Sequence, residues 1–121
     1  MIRLSLSFPP SANALWRSVN GRNILAAPYR KWKRVAAAEI YAALLADDNM
    51  HSITGPYRMT LTLDRPDKRR RDLSNRIKAV EDALVADALI DDDSDCQSLT
   101  VQWSDKPPAK PAFVHIEIEA V

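Results

Sequence analysis

Between Lys68 and Asp95 the chain sets a basic run, Lys68-Arg69-Arg70-Arg71, against Asp72 at the head of a helical pattern, and places an acidic cluster, Asp91-Asp92-Asp93-Ser94-Asp95, just beyond that pattern. Arginine and lysine hold a polyanion through its phosphates. Clustered Asp oxygens hold a hard cation such as Mg2+, which takes oxygen ligands and keeps several of its waters. Side by side, the two point to metal-dependent phosphodiester chemistry, although neither half would do so alone. The formal net charge is only +1, so it is the distribution of charge that matters. Arg65, Lys68, Arg69, Arg70, Arg71, Arg76 and Lys78 stand against Asp64, Asp67 and Asp72, and between Asp87 and Asp95 the balance reverses. A charge run is ordinarily a solvated face, so order and spacing have to carry the argument. The acidic run is not an EF-hand loop, because DDDSDCQSLTVQ lacks the central Gly and the terminal Glu.

The helix that links the two charged segments is expected over about 72–88. At 100° per residue Leu73, Ile77, Val80 and Leu84 form its core stripe, and Asn75, Lys78 and Asp82 gather on the opposite side. Asp72 stands near that polar line at the helix start, where an Asp also serves as an N-cap for the first unpaired amides. The return of the chain after the acidic loop has to bring Asp92 and Asp93 back toward Asp72 for one site to form.

The remaining elements follow from periodicity. Ile2, Leu4, Leu6 and Phe8 alternate with polar residues, as do Tyr57, Met59, Leu61 and Leu63, and both runs read as half-buried strands. Two further strands are expected around Leu99–Trp103 and Val114–Ile118, with Pro107, Pro108 and Pro111 punctuating the connection. The segment from Ser11 to Pro28 is expected to form a hairpin turning at Asn20-Gly21, a dipeptide suited to a type I′ turn. An Ala-rich helix, basic in its first turns, is expected from Tyr29 to Ala46. The fold class is therefore α/β in the two-layer α+β sense, a single mixed sheet with two helices on one face, and residues 1–121 form one domain.

Composition excludes other classes. No apolar run approaches the roughly 20 residues of a membrane span, and the alternating N-terminus lacks the apolar core of a secretory signal. The single Cys96 forms no internal disulfide, which fits a cytoplasmic protein. Trp16, Tyr29 and Trp32 lie among basic residues and are read either as platforms for unpaired bases or, for the two tryptophans, as core or interface anchors. His51 and His115 receive no catalytic role.

The text RRDLSNRIKAVEDAL, Arg70 to Leu84, followed by Asp92-Asp93, resembles the core R-R-D-x-D-N-x-x-K-x-x-x-D-x-L and D-D of the RusA-type Holliday-junction resolvases. FPPSANALWR near the N-terminus resembles that family's P-P-S-x-N segment, so the similarity runs over nearly the whole chain. The resemblance implies a small homodimeric nuclease that cuts four-way DNA junctions symmetrically with Mg2+, Mn2+ being a possible substitute. It implies catalytic roles for Asp72, Lys78 and Asp93, and metal ligation by Asp72, Asp92 and Asp93. The middle aspartate of the motif is replaced by Ser74, which offers a hydroxyl and no charge, with Asp82 or Asp95 as substitutes elsewhere. Arg69, Arg70, Arg71 and Arg76 are expected to hold the DNA backbone, and Ser74, Asn75 and Asp82 to support the ligands. The alternative is a branched-DNA-binding protein whose cutting Ser74 has weakened or abolished.

Overall fold

The computed structural model describes residues 1–121. Six strands and two α-helices form, in the order β1 (Ile2–Ser7), β2 (Trp16–Val19), β3 (Arg22–Leu25), α1 (Ala27–Ala46), β4 (Tyr57–Leu63), α2 (Ile77–Ala86), β5 (Cys96–Trp103) and β6 (Phe113–Ala120). Alternation in β1, β4 and β6 does what period 2 requires, since Ile2, Leu4, Leu6, Tyr57, Met59, Leu61, Val114, Ile116 and Ile118 all turn inward. These strands build a four-stranded sheet of order β1-β6-β4-β5. The β1–β6 and β6–β4 pairs are antiparallel, with Ile116 opposite both Leu4 and Leu61, while β4 and β5 run parallel. A parallel pair needs a crossover, and α2 supplies it.

Both helices cover the inward face. Tyr29, Trp32, Ala36 and Ile40 of α1 and Ala79, Val80, Ala83 and Leu84 of α2 are buried. Each such Leu, Ile or Val contributes about 1.5–3 kcal/mol. The exposed ion pairs on the outer face, Arg3–Glu117 at 3.9 Å and Arg58–Glu119 at 3.7 Å, contribute at most about 1 kcal/mol each. Burial on the inner face therefore decides the fold. On the outer face Asp64, buried at the end of β4, meets His115 Nε2 at 3.1 Å, and His115 Nδ1 lies 2.7 Å from Ser5 Oγ.

The β2–β3 hairpin turns at Asn20 and Gly21, both at positive φ (51° and 76°), as the Asn-Gly dipeptide predicts. The second helix departs from expectation at its start. It begins at Ile77, preceded by a 3₁₀ turn over Ser74–Arg76, and Asp72 lies outside both. Asp72 is therefore no N-cap: its carboxylate accepts a hydrogen bond from Asn75 Nδ2 at 3.2 Å, not from a backbone amide. At its far end α2 stops two residues earlier than expected. Ala88 takes φ 58°, and the Leu89 amide donates to the Leu84 carbonyl at 3.0 Å, closing the helix as glycine usually does.

Candidate active site: a basic loop and an acidic cleft

The loop from Asp64 to Leu73 joins β4 to the turn before α2, and it is organised by aromatic stacking and one carboxylate. Phe8 and Trp103 stack with centroids 6.3 Å apart. Arg65 lies over Trp103 at 4.4 Å, and Arg76 and Arg71 lie over Phe8 at 5.1 and 5.8 Å. Asp67 takes a bidentate ion pair from Arg71 and a hydrogen bond from the Arg69 amide at 3.0 Å. The Arg71 pair, then the Arg69 amide, holds the Asp67 carboxyl well down, at about 2.

These contacts divide the arginines. Arg71 is committed to Asp67. Arg76 is half-buried and donates to the Pro9 carbonyl at 3.0 Å, and burial pulls its guanidinium below the usual arginine range. Lys68, Arg69 and Arg70 remain exposed at the loop tip. Arg70, Arg71 and Asp72 line a shallow cleft of about 240 Å³.

A second, larger cleft of about 410 Å³ opens beside α2, lined by Lys78, Asp82, Val85, Ala86, Asp91, Asp92 and Asp93. Lys78 Nζ stands 3.0 Å from Asp82 Oδ1 and 4.0 Å from Asp93 Oδ2. Its ammonium is held above the usual lysine range, chiefly by the hydrogen bond and charge of Asp82 and then by Asp93. Asp82 also accepts from the buried Tyr29 hydroxyl at 3.2 Å, and burial followed by the Asp82 charge pushes that phenol up to about 12. Asp92 accepts from the Ser94 amide at 3.1 Å, and this bond, with Asp93 beside it, holds its carboxyl below the usual range.

The acidic segment is anchored from behind. Ile53 bridges Ile90 in parallel, Ser52 Oγ donates to the Ala88 carbonyl at 2.7 Å, and the Gly55 amide donates to Asp91 Oδ2 at 3.2 Å. The connector after α1 thus fixes where Asp92 and Asp93 emerge, in front of β5.

The structure brings Lys78, Asp82, Asp92 and Asp93 into one cleft and puts Asp72 with Asn75 and the arginines in another. Ser74 is exposed on the 3₁₀ turn, and no three Asp, Glu, His or Cys groups converge on a single point. The donor set of the larger cleft suits a hard divalent cation in kind, being carboxylate oxygen without thiolate or imidazole. Asp72 thus lies outside the cleft that Asp92 and Asp93 line. The sequence reading did not single out Glu81, half-buried on α2 outside the cleft lining, whose carboxyl is raised by burial and then by the Asp93 charge. Its spacing of three from Lys78 was the available signal. Of the aromatics, Trp32 is core, with Nε1 donating to the Ser7 carbonyl at 3.0 Å, and Tyr29 is buried, whereas Trp16 is 57% exposed.

A small mixed sheet with a crossover helix thus presents a lysine and carboxylates in an open cleft next to an arginine-rich loop, the kinds of group that phosphodiester chemistry uses. Comparison of the sequence makes the class specific: the chain belongs to the RusA endodeoxyribonuclease family, whose model matches residues 7–119. Over 117 residues it is 29% identical to a crossover junction endodeoxyribonuclease RusA of Enterobacteria phage HK97, an alignment spanning 96% of this chain and 94% of that protein.

Proposed function

We propose that the protein is a Mg2+-dependent endonuclease that resolves four-way DNA junctions by paired symmetric nicks in recombination and repair, acting as a homodimer on branched DNA. The observation that carries this reading is Lys78 set between Asp82 and Asp93 in an open acidic cleft, on a chain of the RusA family. Two opposed strands are cut most simply by two sites related by a two-fold axis. No helix is long and apolar enough to cross a membrane, and action on DNA fits a cytoplasmic protein.

Asp92 and Asp93 would hold the ion, with Asp72 as the third carboxylate when DNA and metal are bound, and Mn2+ would be accepted by the same oxygens. When bound, such an ion would supply a water of lowered pKa and would offset charge on the phosphate. Lys78 places a fixed positive charge where the phosphoryl oxygens become more negative. Asn75 orients the Asp72 carboxylate through their 3.2 Å hydrogen bond. Lys68, Arg69 and Arg70 hold the backbone without reading bases, as recognition of a structure requires. Arg71 contributes by ordering the loop through Asp67.

The test compares a mobile four-way junction with matched linear duplex in Mg2+, Mn2+ and EDTA, following binding in parallel. Symmetric nicking of the junction alone, lost in EDTA and in Asp72→Asn and Asp93→Asn with binding retained, is the expected result. Tight junction binding without cutting in either metal would favour the silent binder that Ser74 implies.

A further inference from the structure

The β2–β3 ribbon forms a sheet of its own, and both of its faces meet water. From Trp16 to Ile24 only Val19 is even partly covered, although a two-stranded ribbon has little stability of its own. The body of the protein holds it at the root. Leu15 is buried in the core, its carbonyl accepts from the Ala26 amide at 2.9 Å, and Leu25 packs against the same core. Trp16 is the first residue beyond that clamp. Register divides the ribbon's side chains between its faces. Arg17 stands opposite Ile24 and Val19 opposite Arg22, so the two arginines share one face, while Trp16, opposite Leu25, lies on the other with Ser18 and Asn23.

Charge says what this ribbon meets. The first acidic residue of the chain is Glu39, and its carboxylate is taken up by the Ser7 amide at 3.0 Å and the Ser7 hydroxyl at 2.9 Å. Ahead of it Arg17, Arg22, Arg30, Lys31, Lys33 and Arg34 follow one another with no acid among them. The ribbon and the first turns of α1 are thus strongly cationic on a chain whose net charge is only +1, and their complement is a polyanion.

A single exposed aromatic is ordinary on a protein surface. On a cationic ribbon its ring offers a stacking platform to a nucleic-acid base. Inside a duplex each base is already stacked on both sides, so Trp16 has a partner only where a branch leaves a base face open. The root puts the ring where that matters. The 3₁₀ turn Ala12–Ala14 lies against the Ser74–Arg76 turn and α2, and Arg76 donates to the Pro9 carbonyl at 3.0 Å. Trp16 follows that turn by two residues, about 7 Å of chain at most, and so stands near the cleft of Arg70, Arg71 and Asp72.

We infer that the ribbon reads the branch point: Trp16 stacks on a base left open at the junction centre, while Arg17 and Arg22 on the opposite face hold the phosphates of an arm. A ribbon that is wet on both faces fits this place, between DNA segments that diverge. Lys68, Arg69 and Arg70 hold backbone of any shape, and the ring supplies the preference for a branch. The inference rests on the junction-nuclease reading and adds to it the residue that selects the substrate.

Fluorescence anisotropy of the whole chain with a labelled four-way junction and with matched linear duplex, in EDTA so that neither is cut, tests it. The wild type is expected to prefer the junction. Trp16→Leu keeps apolar bulk and removes the ring; it should lower junction affinity about 5- to 150-fold, the worth of one stacked base, and leave duplex affinity within about twofold. Trp16→Phe should retain most of the preference. Arg17→Gln combined with Arg22→Gln should weaken binding to both DNAs and reduce the salt slope by about two. A Trp16→Leu protein that keeps the preference, or that loses affinity for both DNAs alike, overturns the inference, as does an equal loss in Trp16→Phe, which would mark a packing role. A wild type that binds both DNAs equally defeats the junction reading and this inference with it, whereas a selective wild type beside an equally selective Trp16→Leu defeats this inference alone.

Discussion

Lys78 holds Asp93 at 4.0 Å across the acidic cleft, while its other partner, Asp82, lies one turn away on its own helix at 3.0 Å. The lysine thus ties the loop that returns from α2 to the helix itself. Its ammonium, held above the usual lysine range by Asp82 first, stays charged throughout the neutral and mildly alkaline range. In the proposed mechanism Lys78 would therefore act as a fixed charge and not as a proton donor. Lys78→Met should lower the single-turnover rate of junction nicking about 100- to 1,000-fold with binding changed much less. A variant whose loss lies wholly in binding would move Lys78 out of the chemistry and into DNA contact.

The arginines of the loop do different work although the sequence writes them as one run. Arg70 is exposed at the tip, whereas Arg76 is half-buried between Phe8 and the Pro9 carbonyl. Arg70→Ala should leave thermal stability unchanged and weaken junction binding, with a shallower dependence of affinity on salt as one phosphate contact is lost. Arg76→Ala should do the reverse, lowering stability by about 1–3 kcal/mol as the buried carbonyl loses its donor. Equal losses of affinity and equal stability in the two variants would contradict this division.

Asp67 makes the loop sensitive to acid. Its carboxyl, pulled by Arg71 and the Arg69 amide from the ordinary 3.8 to about 2, is more acidic in the folded protein than in the unfolded chain. The stability it contributes is fully present above pH 4 or so and is lost as the pH falls toward 2. The gap in melting temperature between wild type and Asp67→Asn should be constant from pH 7 to 5 and should close between 4 and 2. A gap that persists at pH 2 would mean that Asp67 works through something other than its charge.

Most of the fold is legible in the sequence because period 2 is strong where one face of a sheet is buried, as in β1, β4 and β6. It is weaker at the edge of the sheet. In β5 Leu99, Val101 and Trp103 stand opposite the buried Met59, Leu61 and Leu63, so the alternation marks the inward side, but Leu99 stays exposed and the strand starts three residues earlier than expected, at Cys96. The α2 boundary misleads for another reason. Asp72 has the residue type of a cap and the right place on a helical wheel, but the loop ahead of it is held by Asp67 and by the guanidinium stacks on Phe8, contacts between distant segments that no local pattern contains. Lys78 and Asp82 were legible as neighbours on one face of a helix, whereas Asp93 entered the set only through the family resemblance. The separation of Asp72 from Asp92 and Asp93 was not legible, since it depends on where the Ile53–Ile90 bridge and the Gly55–Asp91 hydrogen bond hold the acidic loop. Trp32, read among basic neighbours, belongs to the core because helical spacing from Tyr29, Ala36 and Ile40 puts it on the inner face.

Ser74 is the position where the chain departs from the motif it otherwise follows, and its surroundings indicate how far that matters. It lies exposed on the 3₁₀ turn between Asp72 and Lys78, with no carboxylate-binding partner built around it. The larger cleft already carries Asp82, Asp91, Asp92 and Asp93, so negative charge is not scarce there. An added carboxylate at position 74 would neighbour Asp72 and raise the repulsion between them unless an ion sits against both. Ser74→Asp should therefore change Mg2+-supported nicking less than tenfold at saturating metal and shift the metal titration to lower concentration. In EDTA it should lower thermal stability slightly, because the new charge is then uncompensated. A gain of several hundredfold in cutting at saturating Mg2+ would instead show that the natural serine leaves the site disabled and that this chain binds junctions without resolving them.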